Sequence, residues 1–121
     1  MTNPFAYMEL HPTSPDRAKA FYGDLMGWQF SDMDLGGANY TMVTNGAEPF
    51  AGIASPNGGS PHWLPYLWVK DLDAAAKKAE SLGAKIVQPR VDIPAGSFVV
   101  LRDPAGATIA LYQGEGAGSG A

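Results

Sequence analysis

The same pattern of hydrophobic and polar residues occurs twice along this chain of 121 residues. Residues 4–11 alternate between a wholly apolar face and a mixed face, and such alternation predicts a strand. The mixed face carries aromatic and polar side chains together: Phe5, Tyr7, Glu9 and His11. The apolar face predicts contact with a helix, whereas the mixed face is unusual for a plain core.

A helix and three short strands are predicted next. Ser14 is a favourable N-cap, Pro15 suits the first helical position, and Gly27 suits the left-handed residue that ends a helix. Apolar residues recur at helical spacing and predict one buried stripe, formed by Ala18, Phe21, Tyr22 and Leu25. Glycine-containing turns then separate three predicted strands, at 28–34, 39–44 and 50–55.

The same order restarts after a Gly/Pro/Ser-rich loop at 56–62. A strand at 64–69 leads to a helix that Asp71 caps and Gly83 ends. The predicted buried stripe of this helix consists of Leu72, Ala75, Ala76, Ala79 and Leu82. Three more strands are predicted at 84–91, 97–103 and 108–113, and the turn sequence DPAG joins the last two. The order β-α-β-β-β therefore occurs twice.

Composition narrows the function classes. The formal net charge of −4 argues against nucleic acid as a partner, because phosphates require a basic face. The chain contains no cysteine, no apolar run of membrane-spanning length and no secretory signal pattern. We therefore expect a cytoplasmic protein without a membrane partner. The Gly/Ala/Ser-rich residues 114–121 predict a flexible tail.

Three stretches resemble the vicinal oxygen chelate (VOC) superfamily, which includes glyoxalase I, bleomycin-resistance proteins and extradiol dioxygenases. They are AKAFYGDLMGW, VKDLDAAAKKAESLGAKI and LRDPAGATIALYQ, and their order is similar to that in small bacterial glyoxalase-like members. The resemblance implies an α+β fold in which two tandem βαβββ modules form a curved, cup-shaped mixed sheet with helices outside. It implies one domain over 1–113, with modules at about 4–55 and 63–113.

The resemblance also locates the positions where metal-dependent members of the superfamily place their ligands. Three of these positions hold Tyr7, Leu64 and Ala110, and the strand at 50–55 offers no acid for the fourth. Leucine and alanine side chains provide no donor atom for a cation. We therefore expect no metal and no other cofactor. The alternative is a relocated metal that binds through Glu9, Glu48, His11 or His62, although the two histidines are predicted to be solvated loop residues.

Aromatic side chains occupy the strand faces that the resemblance turns toward the cup. The predicted ligand-binding residues are Tyr7, Glu9, Tyr66, Trp68 and Tyr112. The polar tips of buried tyrosine and tryptophan need hydrogen-bond partners, and a wet pocket supplies them more easily than a dry core. An aromatic-rich core is the plainer alternative. We expect a protein that binds a small aromatic or amphipathic organic molecule, as bleomycin-resistance proteins do.

Whether the chain is an enzyme stays open at this point. The alternative function is a VOC enzyme of the isomerase, lyase or dioxygenase type, in which Glu9 acts as general acid or base or a relocated metal takes part. Glu9 is predicted among aromatic side chains, where desolvation favours the protonated carboxyl. The alternative is an exposed Glu9 at the rim of the cup, or one paired with Arg90 or Arg102. Sheet edges also predict a homodimer, because the unpaired backbone groups of an edge strand favour contact with another chain. Trp28 and Phe30 are candidates for that interface, or are internal.

Overall fold

The computed structural model of the chain describes residues 4–35, 37–56 and 58–114. Contacts divide it into two compact units, Tyr7–Leu64 and Pro65–Ala121 together with Met1–Ala6. We call these the first and the second module. The divisions fall inside strands, so residues 5–6 of the first strand count with the second module and residues 62–64 of the fifth strand count with the first. The predicted flexible tail lies outside the described residues from residue 115 onward.

The first module contains one helix and four strands. These elements are β1 (Phe5–His11), α1 (Pro15–Met26), β2 (Gln29–Leu35), β3 (Ala38–Thr44) and β4 (Ala51–Ile53). The strands lie in the order β2-β3-β4-β1. The pair β1/β4 is parallel, whereas the pairs β2/β3 and β3/β4 are antiparallel. The predicted β-α-β-β-β order is therefore confirmed in this half.

The limits of α1 follow from its capping residues. The Ser14 hydroxyl accepts a hydrogen bond from the Arg17 backbone N–H at 3.3 Å. Gly27 ends the helix with a φ of 72°, and its N–H bonds to the Gly23 carbonyl. A left-handed φ costs glycine little because it has no Cβ. The predicted start and end of this helix are confirmed.

The predicted buried stripe of α1 is only half right. Ala18 and Tyr22 pack against the core of the first module. Phe21 and Leu25 are 58% and 62% exposed. One reason is that the Tyr22 ring stacks on Trp28 at 5.2 Å and so fixes which side of the helix faces inward. With 100° between successive residues, Phe21 lies well to one side of Tyr22 and turns outward. Leu25 lies within about 20° of Ala18 around the helix, so its angle does not explain its exposure.

The core of the first module consists of aliphatic residues under aromatic rings. Its buried members are Leu10, Val43, Ala51 and Ile53. Trp28 and Phe30 pack against them, and Trp28 also contacts Phe50 edge-on at 5.1 Å. Both residues thus pack against the core while keeping partial exposure, and their part in a dimer interface stays a prediction.

The second half repeats the plan. Its elements are β5 (His62–Trp68), α2 (Leu72–Ser81), β6 (Lys85–Ile93), β7 (Gly96–Arg102) and β8 (Thr108–Gly114). The strand order is β5-β8-β7-β6. The pair β5/β8 is parallel and the other two pairs are antiparallel. The predicted α+β class, with two βαβββ modules and mixed strand pairing, is confirmed.

The helix α2 is capped as predicted. The Asp71 carboxylate accepts from the Ala74 N–H at 3.1 Å, and Gly83 has a φ of 102°. Leu72 is fully buried with Val99, Leu101 and Leu111, and the alanines of the predicted stripe pack against this group. Leu82 is 68% exposed, so its predicted burial is wrong. It lies beyond the last helical residue, where helical periodicity no longer sets its direction.

A buried hydroxyl bonds to an aspartate across the strands in each module. In the first, Thr41 lies opposite Asp32 and donates to it at 2.5 Å. Lys19 of α1 contacts the same carboxylate at 3.2 Å. The Thr41 hydrogen bond, followed by that of Lys19, lowers the pKa of Asp32. This cluster therefore links α1 to the outer pair of strands.

The second module contains the matching cluster. Ser97 lies opposite Asp92 and donates to it at 2.6 Å. Arg90 contacts Asp92 at 2.9 Å and Asp73 of α2 at 3.0 Å. The Ser97 hydrogen bond, followed by that of Arg90, lowers the pKa of Asp92. Within the described residues, neither helix has the length and apolar composition that a membrane crossing requires.

Candidate functional site

The mixed face of β1 meets a tyrosine of β3. Because side chains alternate along a strand, Tyr7, Glu9 and His11 share one face. The Tyr40 hydroxyl donates to Glu9 Oε2 at 2.8 Å and lies 2.6 Å from the Tyr7 hydroxyl. The structure thus joins two predicted site residues, Tyr7 and Glu9, through a third residue that the sequence did not single out.

The direction of each hydrogen bond among Tyr7, Tyr40 and Glu9 follows from the number of protons that the hydroxyl groups carry. A tyrosine hydroxyl carries one proton, and that of Tyr40 goes to Glu9. Tyr7 therefore donates to the Tyr40 oxygen. Burial, followed by the nearby charge of Glu9, raises the pKa of Tyr40 far above its ordinary value near 10. Tyr40 stays a neutral donor over the whole physiological pH range.

Gly52 provides the space for the two hydroxyl groups. It lies opposite Glu9 in the parallel pair and opposite Met42 in the antiparallel pair. A Cβ at this position would overlap the hydroxyl oxygens of Tyr40 and Tyr7. The hydroxyl pair therefore requires glycine here because any side chain would occupy the same volume.

Glu9 also contacts a histidine, which corrects the predicted solvation of His11; His62 is exposed as predicted but belongs to a strand. His11 Nε2 lies 2.7 Å from Glu9 Oε1, and the two side chains are only 19% and 13% exposed. The approach is oblique, since this nitrogen has no aligned hydrogen bond among the described residues. His11 and His62 belong to strands, and their rings stack at 4.7 Å with an interplanar angle of 5°. They are not isolated loop residues.

The stacked histidines are poorly arranged for a shared metal ion. Ring-nitrogen lone pairs lie in the ring plane, and two nearly parallel planes do not direct them to one point. His62 Nδ1 also donates to the Ser60 carbonyl at 2.7 Å. Among the described residues, no group of three or more His, Asp or Glu side chains is placed to hold a metal.

The ligand positions of metal-dependent VOC members contain core residues here. Leu64 is 3% exposed and Ala110 is fully buried. Glu48, a candidate for a relocated site, is an exposed residue of the turn before β4. The side chains present therefore do not fit the divalent metal of the superfamily.

The remaining predicted site residues form an aromatic cluster in the second module. Tyr66 contacts Tyr112 edge-on at 6.4 Å, and Trp68 contacts Tyr112 at 5.2 Å. Phe98 of β7, which the sequence did not single out, contacts Tyr66 at 5.7 Å. We call Tyr66, Trp68, Phe98 and Tyr112 the aromatic cluster. Tyr66 and Tyr112 are buried, whereas Trp68 and Phe98 keep partial exposure.

The polar tips of the aromatic cluster differ in their partners. The Tyr112 hydroxyl donates to the Ala95 carbonyl in the turn between β6 and β7 at 3.0 Å. The Trp68 indole Nε1 is buried and has no hydrogen-bond partner among the described residues. A buried donor without a partner costs about 1–3 kcal/mol of stability. The Tyr112 hydroxyl thus has a protein partner, whereas the Trp68 donor has none among the described residues.

Solved structures share this fold. Methylmalonyl-CoA epimerase from Mycobacterium tuberculosis matches with a TM-score of 0.68 and 16% identity, covering 94% of this chain and 89% of that one. At this identity the likeness shows the fold alone. The two βαβββ modules therefore have the fold that the resemblance to the vicinal oxygen chelate superfamily implies.

Sequence comparisons narrow the class to a family. The model of the family described as "Glyoxalase-like domain" matches residues 8–112, and the chain belongs to this family. "Putative glyoxylase CFP32" of Mycobacterium bovis is 36% identical over 115 residues, which cover 88% of this chain and 44% of that protein. "Anthracycline biosynthesis protein DnrV" of Streptomyces peucetius is 29% identical over 120 residues, with 83% and 44% covered. The chain thus spans less than half the length of these relatives.

Proposed function

We propose that this glyoxalase-like chain binds a small aromatic or amphipathic organic molecule, with the aromatic cluster as the contact surface and without a metal. The observation that supports this most directly is the buried Trp68 Nε1–H, which has no partner among the described residues. A ligand acceptor would remove the cost of this unpaired donor. Because the nitrogen is covered, binding requires a small shift of the indole ring, as is common when side chains receive a ligand.

The ring geometry supports a flat, apolar ligand. Trp68 and Phe98 keep partial exposure beside the buried rings of Tyr66 and Tyr112, and aromatic rings pack well on one another. Small-molecule sites are commonly lined by aromatic side chains with a few polar groups that fix orientation. Tyr7 and Glu9 stay predicted ligand contacts in the first module.

A second candidate function is general acid–base catalysis, and the Glu9 contacts favour it. Tyr40 and His11 lie at the two oxygens of Glu9 and are available as partners for this chemistry. A carboxylate held in one orientation can take a proton from a substrate carbon or hydroxyl group. The fold alone supports either function.

A thermal-shift screen tests the binding proposal. The library contains aromatic acids, amphipathic carbonyl compounds and polycyclic aromatic compounds, the last because one relative is named for anthracycline biosynthesis. A ligand at a hundredfold excess over its Kd stabilises the folded chain by about 2.7 kcal/mol. We expect Trp68→Ala to abolish the shift. We expect Trp68→Phe, which keeps a ring and deletes the donor, to weaken binding by about two- to tenfold.

The control is Trp63→Phe, which changes an exposed tryptophan of the first module outside the aromatic cluster. This variant should bind as the wild type does. If Trp68→Phe and Trp63→Phe bind equally well, the unpaired donor is not a ligand contact. If the library produces no shift, the binding proposal is wrong.

Glu9→Gln separates the two functions. It keeps a side chain that can accept from Tyr40 and removes the ionisable carboxylate. The binding function predicts that Glu9→Gln retains the thermal shift, because glutamine keeps a polar side chain of similar size at this predicted ligand contact, and that the wild type turns over no bound compound. Turnover of a bound compound by the wild type, lost in Glu9→Gln with binding retained, would establish the acid–base function instead.

A further inference from the structure

The outer face of α1 carries an apolar patch that the fold does not use. Phe21 and Leu25 are the exposed residues at positions i and i+4, so they are neighbours on the helix surface. Ala20 beside them is exposed and small. Large exposed apolar side chains that adjoin each other commonly mark an interaction surface.

Two opposite charges flank this patch. Arg17 precedes Phe21 by four residues and Asp24 follows it by three, so all three lie along one side of the helix. Both charged residues are exposed, and neither takes part in an ion pair among the described residues. Seven helical residues span about 10 Å, which is too far for Arg17 and Asp24 to pair with each other.

Two antiparallel copies of α1 are complementary in charge. When two copies of α1 lie antiparallel with their centre between residues 20 and 21, residue 17 of one copy faces residue 24 of the other. Arg17 then faces Asp24 at both ends of the contact. At the centre, the Phe21 ring of each copy faces the small Ala20 of the other, which leaves room for it. Leu25 lies at the edge of the contact, opposite the exposed Asp16 of the other copy.

We propose that α1 forms a symmetric, antiparallel contact with α1 of a second copy of this chain. The charge pattern favours this partner because a second copy presents the same charges in the reverse order. Such an isologous contact pairs each residue twice about a two-fold axis. A 12-residue helix offers a small surface, so the dimer is expected to be weak, in the micromolar range or above.

Sedimentation velocity across protein concentrations, from about 1 µM to about 1 mM, tests the proposal. The wild-type chain should shift from monomer to dimer with rising concentration. Phe21→Lys should weaken the dimer about tenfold or more, because it replaces the central apolar contact by a charge. The matched control is Leu82→Lys, which changes an equally exposed leucine after α2 and should leave the dimer unchanged.

A charge reversal tests the register itself. Arg17→Asp or Asp24→Arg alone places like charges face to face at both ends and should weaken the dimer. The double variant restores opposite charges and should recover most of the wild-type affinity. Circular dichroism checks that every variant folds.

Three results would overturn the proposal. A wild-type chain that stays monomeric at all concentrations has no such contact, and its α1 patch then serves another partner. A dimer that tolerates Phe21→Lys uses a different surface. A double charge reversal that is no better than either single reversal excludes the antiparallel register.

Discussion

Glu9 lies opposite Gly52 in the parallel strand pair of the first module, and Tyr66 lies opposite Ala110 in the parallel pair of the second. In both modules a large side chain on the first strand thus meets a very small residue on the last strand. The first module uses the free space for two tyrosine hydroxyls. In the second module, Tyr66 contacts the rings of Phe98 and Tyr112 edge-to-face. The comparison shows that the repeated backbone fixes where space exists, whereas single residues decide whether polar or aromatic groups fill it.

Replacing Gly52 is expected to change the stability of the first module more than the other substitutions below. Gly52→Ala places a methyl group on the hydroxyl positions of Tyr40 and Tyr7, so the strands or rings must move. We expect the free energy of unfolding to fall by about 1–3 kcal/mol, as overpacking in cores generally does. Urea denaturation measures the change. Gly23→Ala in α1 is the matched control, because its Cβ comes no closer than 3.3 Å to the flexible ring of Phe30. Equal losses in both variants would show that Gly52 is not a special position.

Tyr40→Phe tests the hydrogen bonds that join Tyr7, Tyr40 and Glu9. It deletes the donor to Glu9 and the acceptor for Tyr7 while keeping the ring. We expect a loss of about 1–3 kcal/mol, because two partly buried groups lose their partner. Tyr22→Phe is the control, since the described hydrogen bonds do not include its hydroxyl, and it should change stability by less than about 0.5 kcal/mol. A Tyr40→Phe loss no greater than that of Tyr22→Phe would contradict the assigned contacts.

The sequence predicted which side chains of β1 lie together, but it did not predict their hydrogen-bond partner on another strand. Strand alternation placed Tyr7, Glu9 and His11 on one face because that period is a local property of β1. Tyr40 belongs to β3, and its distance from Glu9 depends on how β3, β4 and β1 align. That register depends on turn geometry and burial, so one strand does not encode it. Phe98 of β7 was missed for the same reason.

Helix limits were predictable, but the inward face of α1 was not. Ser14 and Gly27 act through local hydrogen bonds and backbone conformation, which the sequence encodes directly. The apolar residues of α1 extend over more than one face, and periodicity alone does not choose between Tyr22 and Phe21 as the buried ring. The Tyr22–Trp28 stack makes that choice through a residue beyond the helix.

Alkaline pH provides a smaller but more specific test of Tyr40. Its pKa is raised by folding, so the stabilisation is complete below the ordinary value near 10 and is lost as the pH rises above it. The wild type should lose stability relative to Tyr40→Phe by about 1.4 kcal/mol per pH unit above that value, because only the unfolded chain ionises Tyr40. Urea midpoints of both proteins between pH 8 and pH 11 measure this difference. Parallel curves would contradict a neutral, folded-state Tyr40.

The smallest expected effects concern the cross-strand aspartates that both modules share. The pKa values of Asp32 and Asp92 are lowered by folding, so their stabilisation is present above the ordinary value of 3.8 and is lost as the pH falls below it. Asp32→Asn and Asp92→Asn should each make stability less sensitive to acid. Urea midpoints at pH 7 and pH 3 measure the change, and Asp16→Asn, an exposed aspartate near Lys19, is the control. A similar change in the Asp16 variant would show that the effect is a general one of net charge.

The parallel pairing of first and last strands also has a consequence for biosynthesis. Met8 pairs with Ala51, and Tyr66 pairs with Ala110, so each module closes only when a strand more than forty residues later has been made. Contacts of such large sequence separation generally form slowly, because a long loop must be ordered first. A nascent chain that ends before β8 therefore leaves β5 without its parallel partner. On the ribosome, the first module can complete its sheet before the second does, and the last strand of each module sets the moment of closure.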